Sequence, residues 1–116
     1  MQINHRNLAY ILIIVLGALQ LLAVKFYLYW TVWWLDYVTH FLAGLGIGLL
    51  VLSFRRLGMV ATIALVLMIG GAWEAYEYVF NVTYTTEGYV SDTVHDLLMG
   101  ALGAGVATLL SRRESL

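Results

Sequence analysis

Four long apolar runs divide the chain, at about residues 8–29, 35–54, 59–80 and 92–111. Each reaches the roughly 20 residues that a helix needs to cross a bilayer core. None alternates apolar and polar positions as a membrane-spanning β-strand would. The connections are short, the longest being the polar stretch 81–91, and short connections make consecutive helices antiparallel neighbours. The pattern therefore predicts an all-α integral membrane protein. A single domain over residues 1–116 would hold four transmembrane helices in an antiparallel up-down bundle. The first run is too long for the apolar core of a signal peptide and is not followed by a small-x-small cleavage site and soluble sequence, so it reads as a retained helix.

Composition agrees with this pattern. Apolar residues make up 62% of the chain and charged residues 11%, against about 45–50% and about 25% in a typical soluble domain. So short a chain cannot hide that much apolar surface in its own interior, and the excess must face lipid. The absence of cysteine excludes a disulfide scaffold, a cysteine-zinc module and a thiol nucleophile. A net charge of −1 supplies no field to recruit nucleic acid, so the expected surroundings are the lipid bilayer.

The few basic residues set an orientation. Arg6 precedes the first run, Arg55 and Arg56 join the second to the third, and Arg112 and Arg113 follow the fourth. With four spans these places share one side, and Lys25 alone lies on the other. By the positive-inside rule both termini are cytoplasmic, in a multi-pass protein of the plasma (inner) membrane. Fourteen of the sixteen aromatic residues fall within 26–41 or 73–89, next to the outer side. Most of them read as an interfacial belt, with Tyr76 and Tyr78, beside the acids of the third run, as the expected exceptions.

Acidic residues are costly inside a membrane, by about 2.5–3.5 kcal/mol each at a helix centre. Of the seven acids here, Asp36, Glu74, Glu77, Asp92 and Asp96 lie at the outer ends of helices 2, 3 and 4, together with His40 and His95. Their spacings are Asp36-x-x-x-His40, Glu74-x-x-Glu77 and Asp92-x-x-His95-Asp96, and residues three or four apart share a helix face. Asp36, Glu77 and Asp92 fall in an outer tier, and His40, Glu74 and Asp96 about one turn deeper. The same faces continue inward as Gly44 and Gly48, Gly70 and Gly71, and Gly100, Gly103 and Ala104. Small residues let membrane helices approach closely, so stripes and seams together point to the bundle interior. They also offer faces for a homo-oligomer. Helix 1 contributes only Gln20 and Lys25 and reads as a support, with Lys25 snorkelling outward. Ser91 is expected to cap the fourth helix, and Asp92 to stabilise its N-terminus through the helix dipole.

Carboxylates and imidazoles converging from facing helices resemble the ligand sets of metal-binding bundles. Nitrogen and oxygen donors without thiolate suit Zn²⁺, Mn²⁺, Fe²⁺, or Mg²⁺ and Ca²⁺ where oxygens dominate. The expected function is a buried acidic and histidine site near the outer face that binds a divalent metal or other cation, through Asp36, His40, Glu74, Glu77, Asp92 and Asp96. One alternative is a metal-dependent hydrolase acting on a lipid or isoprenoid headgroup, with Glu77 or His95 as general base. Another is ion- or proton-coupled transport by an oligomer.

Three segments also carry a family resemblance: Leu35-Asp-Tyr-Val-Thr-His-Phe-Leu-Ala-Gly, Trp73-Glu-Ala-Tyr-Glu-Tyr, and Ser91-Asp-Thr-Val-His-Asp-Leu-Leu-Met-Gly-Ala-Leu-Gly-Ala. Together they resemble the YjdF-like small inner-membrane proteins and, more distantly, the VanZ-like family associated with glycopeptide resistance. The resemblance covers about residues 35–107. It implies a role for Asp36, His40, Glu74, Glu77, Asp92 and Asp96, whereas His95 stands at a variable position of the pattern.

Overall fold

The computed structural model describes residues 4–80 and 89–114, with the side chains at 29, 30, 89, 90, 92 and 112–114 outside the description. The chain runs as α1 (His5–Lys25), α2 (Leu28–Thr31), α3 (Leu35–Phe54), α4 (Met59–Phe80) and α5 (Tyr89–Glu114). All four long helices carry a stretch long and apolar enough to cross a membrane. Two of them, α3 and α4, have the bounds that the sequence pattern predicts. The first ends four residues early: Tyr27 takes a left-handed conformation (φ 56°) and breaks the run before the single turn of α2. That kind of break is rare for a residue with a Cβ, and no glycine or proline announces it. The last helix begins at Tyr89, so Ser91 lies within its first turn instead of capping it.

Ends are closed by local polar groups. The Asn4 side chain accepts from the Arg6 backbone N–H at 2.7 Å and caps α1. Arg6 in turn reaches across to the end of α3. Its Nη2 donates to the Ser53 carbonyl oxygen at 2.9 Å, its Nε donates to Ser53 Oγ at 3.3 Å, and its guanidinium lies 4.0 Å from the centre of the Phe54 ring. A cation on a last-turn carbonyl satisfies an orphan acceptor and complements the helix dipole. Arg6→Ala is expected to lower stability by about 1–2 kcal/mol, measured as a fall in Tm in detergent.

Packing departs from the order of the chain. The largest interface joins α3 to α5, α1 lies against α3, and α4 lies against α5. Consecutive α3 and α4 meet only sparsely, so short connections did not make them close neighbours. The cause is the small-residue seam. A Cβ on Gly44 would collide with the carbonyl oxygen of Gly100, and one on Gly48 would meet Ala107 Cβ at 2.9 Å and Ala104 Cα at 3.4 Å. Position 44 pairs with 100 and 48 with 104, which makes α3 and α5 parallel in direction with one constant register. Gly103 is placed equally tightly against α3, since a Cβ there would collide with the Phe41 carbonyl oxygen and meet Leu45 N at 2.6 Å. The glycine faces that could have served an oligomer are therefore filled within one chain. Gly46, on the opposite side of α3, does the same for α1, where a Cβ would meet Ile13 Cγ1 at 3.3 Å.

Below the seam, Ala9, Leu49 and Ala107 form a fully buried apolar cluster with leucines packed around it. Thr62 and Thr108 are buried there too, but each hydroxyl donates to the carbonyl four residues back, Gly58 O at 2.9 Å and Ala104 O at 3.0 Å. Large apolar side chains such as Ile14, Leu21, Val60 and Met68 project outward, as a lipid-facing surface requires.

Candidate cation site

The register that pairs Gly44 with Gly100 also sets the polar end. One turn back along each helix, the same offset puts His40 of α3 level with Asp96 of α5. Their side chains meet, with His40 Nε2 3.3 Å from Asp96 Oδ2. Asp36, a further turn back on α3, brings Oδ1 to 3.4 Å from the same nitrogen. From α4, Glu74 Oε1 lies 3.7 Å away. One imidazole nitrogen thus faces carboxylates from three helices.

Burial sharpens this arrangement. The side chain of Asp96 is 1% exposed, that of Glu74 4% and that of His40 15%. Glu74 also accepts from Thr93 Oγ1 at 3.4 Å, which ties α4 to α5. Thr39 Oγ1 donates to the Asp36 carbonyl at 2.9 Å, within α3. Three carboxylates and one imidazole thus share a buried space in which any charged form is expensive.

Asp36, His40 and Asp96 each offer one ligand atom, and these atoms lie within 4.8 Å of one another. Two atoms bound to one ion at about 2.0–2.6 Å are no more than about 5 Å apart, so the three could share a cation without backbone movement. Glu74 adds a carboxylate at the rim of that set. Glu77 is also buried and lines the same cavity as the three, without belonging to their set. The side chain of Asp92 lies outside the described residues.

His95 takes a different direction. Its Nδ1 donates to the Ser91 carbonyl at 2.7 Å, its ring packs at 5.9 Å from that of Tyr37, and it is exposed. Of the two candidate bases, only Glu77 borders the cavity. The aromatic expectation also changes. Tyr76 stacks on Trp73 (5.5 Å between centroids) and leans on Phe80, on the exposed side of α4, and Tyr78 is exposed as well. Trp73, not either tyrosine, reaches the cavity wall. Lys25 is exposed, with its Nζ 5.5 Å from the centre of the Phe26 ring.

The cavity has a volume of about 340 Å³. Asp36, His40, Glu77 and Asp96 stand at its polar end, and Gln20 reaches it from α1. Sequence reasoning assigned Gln20 to a supporting helix and passed over Thr93. The signal for Thr93 was present, since it lies three residues before Asp96 and so shares its face.

The chain belongs to the family described as predicted membrane protein (DUF2238), whose pattern it matches over residues 1–115. The YjdF-like proteins fall within that family. No curated protein and no solved structure matches the chain.

Proposed function

We propose that this family member binds a divalent metal ion through Asp36, His40 and Asp96, with Glu74 as an adjacent carboxylate. The observation that carries the reading is the placement of His40 Nε2, at 3.3–3.7 Å from carboxylates of three helices. A bound cation would use donor atoms already gathered on one side of the cavity and make their charged forms tolerable there. Mixed nitrogen and oxygen donors favour Zn²⁺, Mn²⁺ or Fe²⁺ over Ca²⁺. The clustering of arginines at the opposite end supports placing the site on the outer side of the plasma membrane.

Elemental analysis of protein purified in mild detergent without chelator tests this directly, beside an Asp96→Asn/His40→Ala double variant. Near-stoichiometric metal in the wild type, lost in the variant, is the expected result. Titrating that metal into chelator-stripped protein should also raise Tm, since a ligand at a hundred times its Kd stabilises by about 2.7 kcal/mol. Metal in neither protein, and no shift on titration, would overturn the reading.

A further inference from the structure

The cavity beside the cation site has a shape and a chemistry that metal binding leaves unused. Because α1 packs on α3 and α4 packs on α5, the two outer helices make at most marginal contact with each other among the described residues. The space between them is the cavity. Its walls come from all four long helices and, away from the polar end, are apolar: Ile13 and Leu16 of α1, Ile47 of α3, Val66 and Leu67 of α4. The polar end is acidic. Among the described residues Asp36, Glu77, Asp96 and His40 line it, and no lysine or arginine does.

We propose that this cavity is a binding site for a lipid-like amphiphile, with one apolar chain lying between α1 and α4 and a primary ammonium head at Glu77. The site goes beyond the metal reading, because Glu77 is outside the three-residue set. A divalent ion would take up Asp36 and Asp96, and Glu77 would remain as the acidic side chain of the cavity wall available to a cationic head. A monocationic head is its complement, whereas an anionic or neutral head meets no matching charge. Carboxylates hold such a head by charge-assisted hydrogen bonds.

Size and length agree with one chain. A volume of about 340 Å³ lies within the roughly 300–1,000 Å³ of ligand pockets. One extended alkyl chain is the proposed occupant of that space. From Glu77 to Leu67 is ten residues of helix, or about 15 Å at 1.5 Å per residue. Leu67 and Ile69 both line the cavity and are exposed on α4, so the cavity wall borders the lipid phase. A chain can therefore enter sideways. Gly17 lies on the α1 wall, where a Cβ would meet nothing within 4 Å.

Photolabelling tests the proposal. The protein is placed in phosphatidylcholine nanodiscs, exposed to a diazirine-bearing dodecylamine or the matching dodecanol, irradiated and mapped by mass spectrometry, with metal content measured on the same samples. The amine is expected to label the cavity walls of α1 and α4 saturably, and unlabelled dodecylamine to compete about tenfold better than dodecanol. Butylamine should not compete. Gly17→Phe, which projects a ring into the open cavity, should abolish labelling while metal content stays unchanged. Glu77→Gln, close to isosteric, should keep the chain labelled but erase the preference for amine over alcohol.

Non-saturable labelling spread over Ile14, Leu21, Val60 and Met68, or equal competition by amine and alcohol in the wild type, would overturn the proposal. Release of bound metal by the amine would place the head on Asp36 and Asp96 and overturn the assignment to Glu77. Wild-type protein without metal but with saturable, amine-selective labelling would overturn the metal reading alone and leave this one standing.

Discussion

Gly44→Ala is expected to unfold or loosen the bundle, whereas Gly100→Ala, its partner across the same seam, is expected to be tolerated. The two glycines face each other but have different surroundings. A Cβ on Gly44 would strike the Gly100 carbonyl oxygen and approach its carbonyl carbon to 2.8 Å and its Cα to 2.9 Å. These are backbone atoms, so relief requires moving one helix away from the other. A Cβ on Gly100 would meet only Val66 Cγ1 at 3.7 Å and His40 O at 3.9 Å, which is ordinary contact. Overpacking in well-packed interiors costs about 1–3 kcal/mol, and a backbone-on-backbone clash belongs at the upper end. Alanine also gains about 1 kcal/mol of helix propensity over glycine, so Gly100→Ala and the uncrowded Gly105→Ala should hold or raise Tm. Thermal unfolding of all three variants in one detergent decides the matter. Equal Tm values for Gly44→Ala and Gly100→Ala would mean that α3 and α5 are not in the close contact described. The seam also sets the distance between His40 and Asp96 one turn away, so Gly44→Ala should weaken metal retention as well.

Asp96→Asn is expected to remove bound metal while the protein stays folded. The Asp96 side chain is 1% exposed, and its Oδ2 is 3.3 Å from His40 Nε2. The substitution keeps the shape and removes the charge. Changes behind a ligand already lower metal affinity by about 10–100-fold, and losing an anionic ligand should exceed that, by ~100-fold or more. Folding of the variant is checked by its Tm without metal, expected close to that of metal-free wild type because the side chain keeps its shape beside His40. Glu74→Gln should have a smaller effect on affinity, since Glu74 lies 3.7 Å from His40 and outside the three-residue set. Isothermal titration of chelator-stripped proteins gives the order. Asp96→Asn and Glu74→Gln with equal affinities would contradict the assignment of Asp96 as a ligand.

Much of the site was legible beforehand, and the reason is geometric. A helix turns by 3.6 residues, so Asp36 with His40, and Asp96 with its glycine seam, had to share faces once the helices were assigned. The cost of charge in lipid then demanded that those faces meet. The same logic fails for His95. It stands next to Asp96, so it points about 100° away around the helix and finds Ser91 and Tyr37 instead. Nor does the same logic separate Glu77 from Glu74: both are buried glutamates of α4, but it is Glu74 whose carboxylate lies 3.7 Å from His40. Choosing between two acids three residues apart requires the rotation of α4 about its own axis, and no local pattern encodes that.

Sequence alone determined the number of spans, the bounds of α3 and α4, the end of the molecule that is polar and the faces that turn inward. All of these follow from hydropathy, helical period and the price of charge in a membrane. Tertiary structure decided which helices touch. Four antiparallel helices can be arranged around one another in several ways, and short connections favour consecutive neighbours. Backbone-to-backbone approach at Gly44 and Gly103 instead joined α3 to α5, because van der Waals contact is what drives helices together where lipid is as apolar as they are. That pairing left α1 and α4 apart, and the cavity beside the cation site is the space between them.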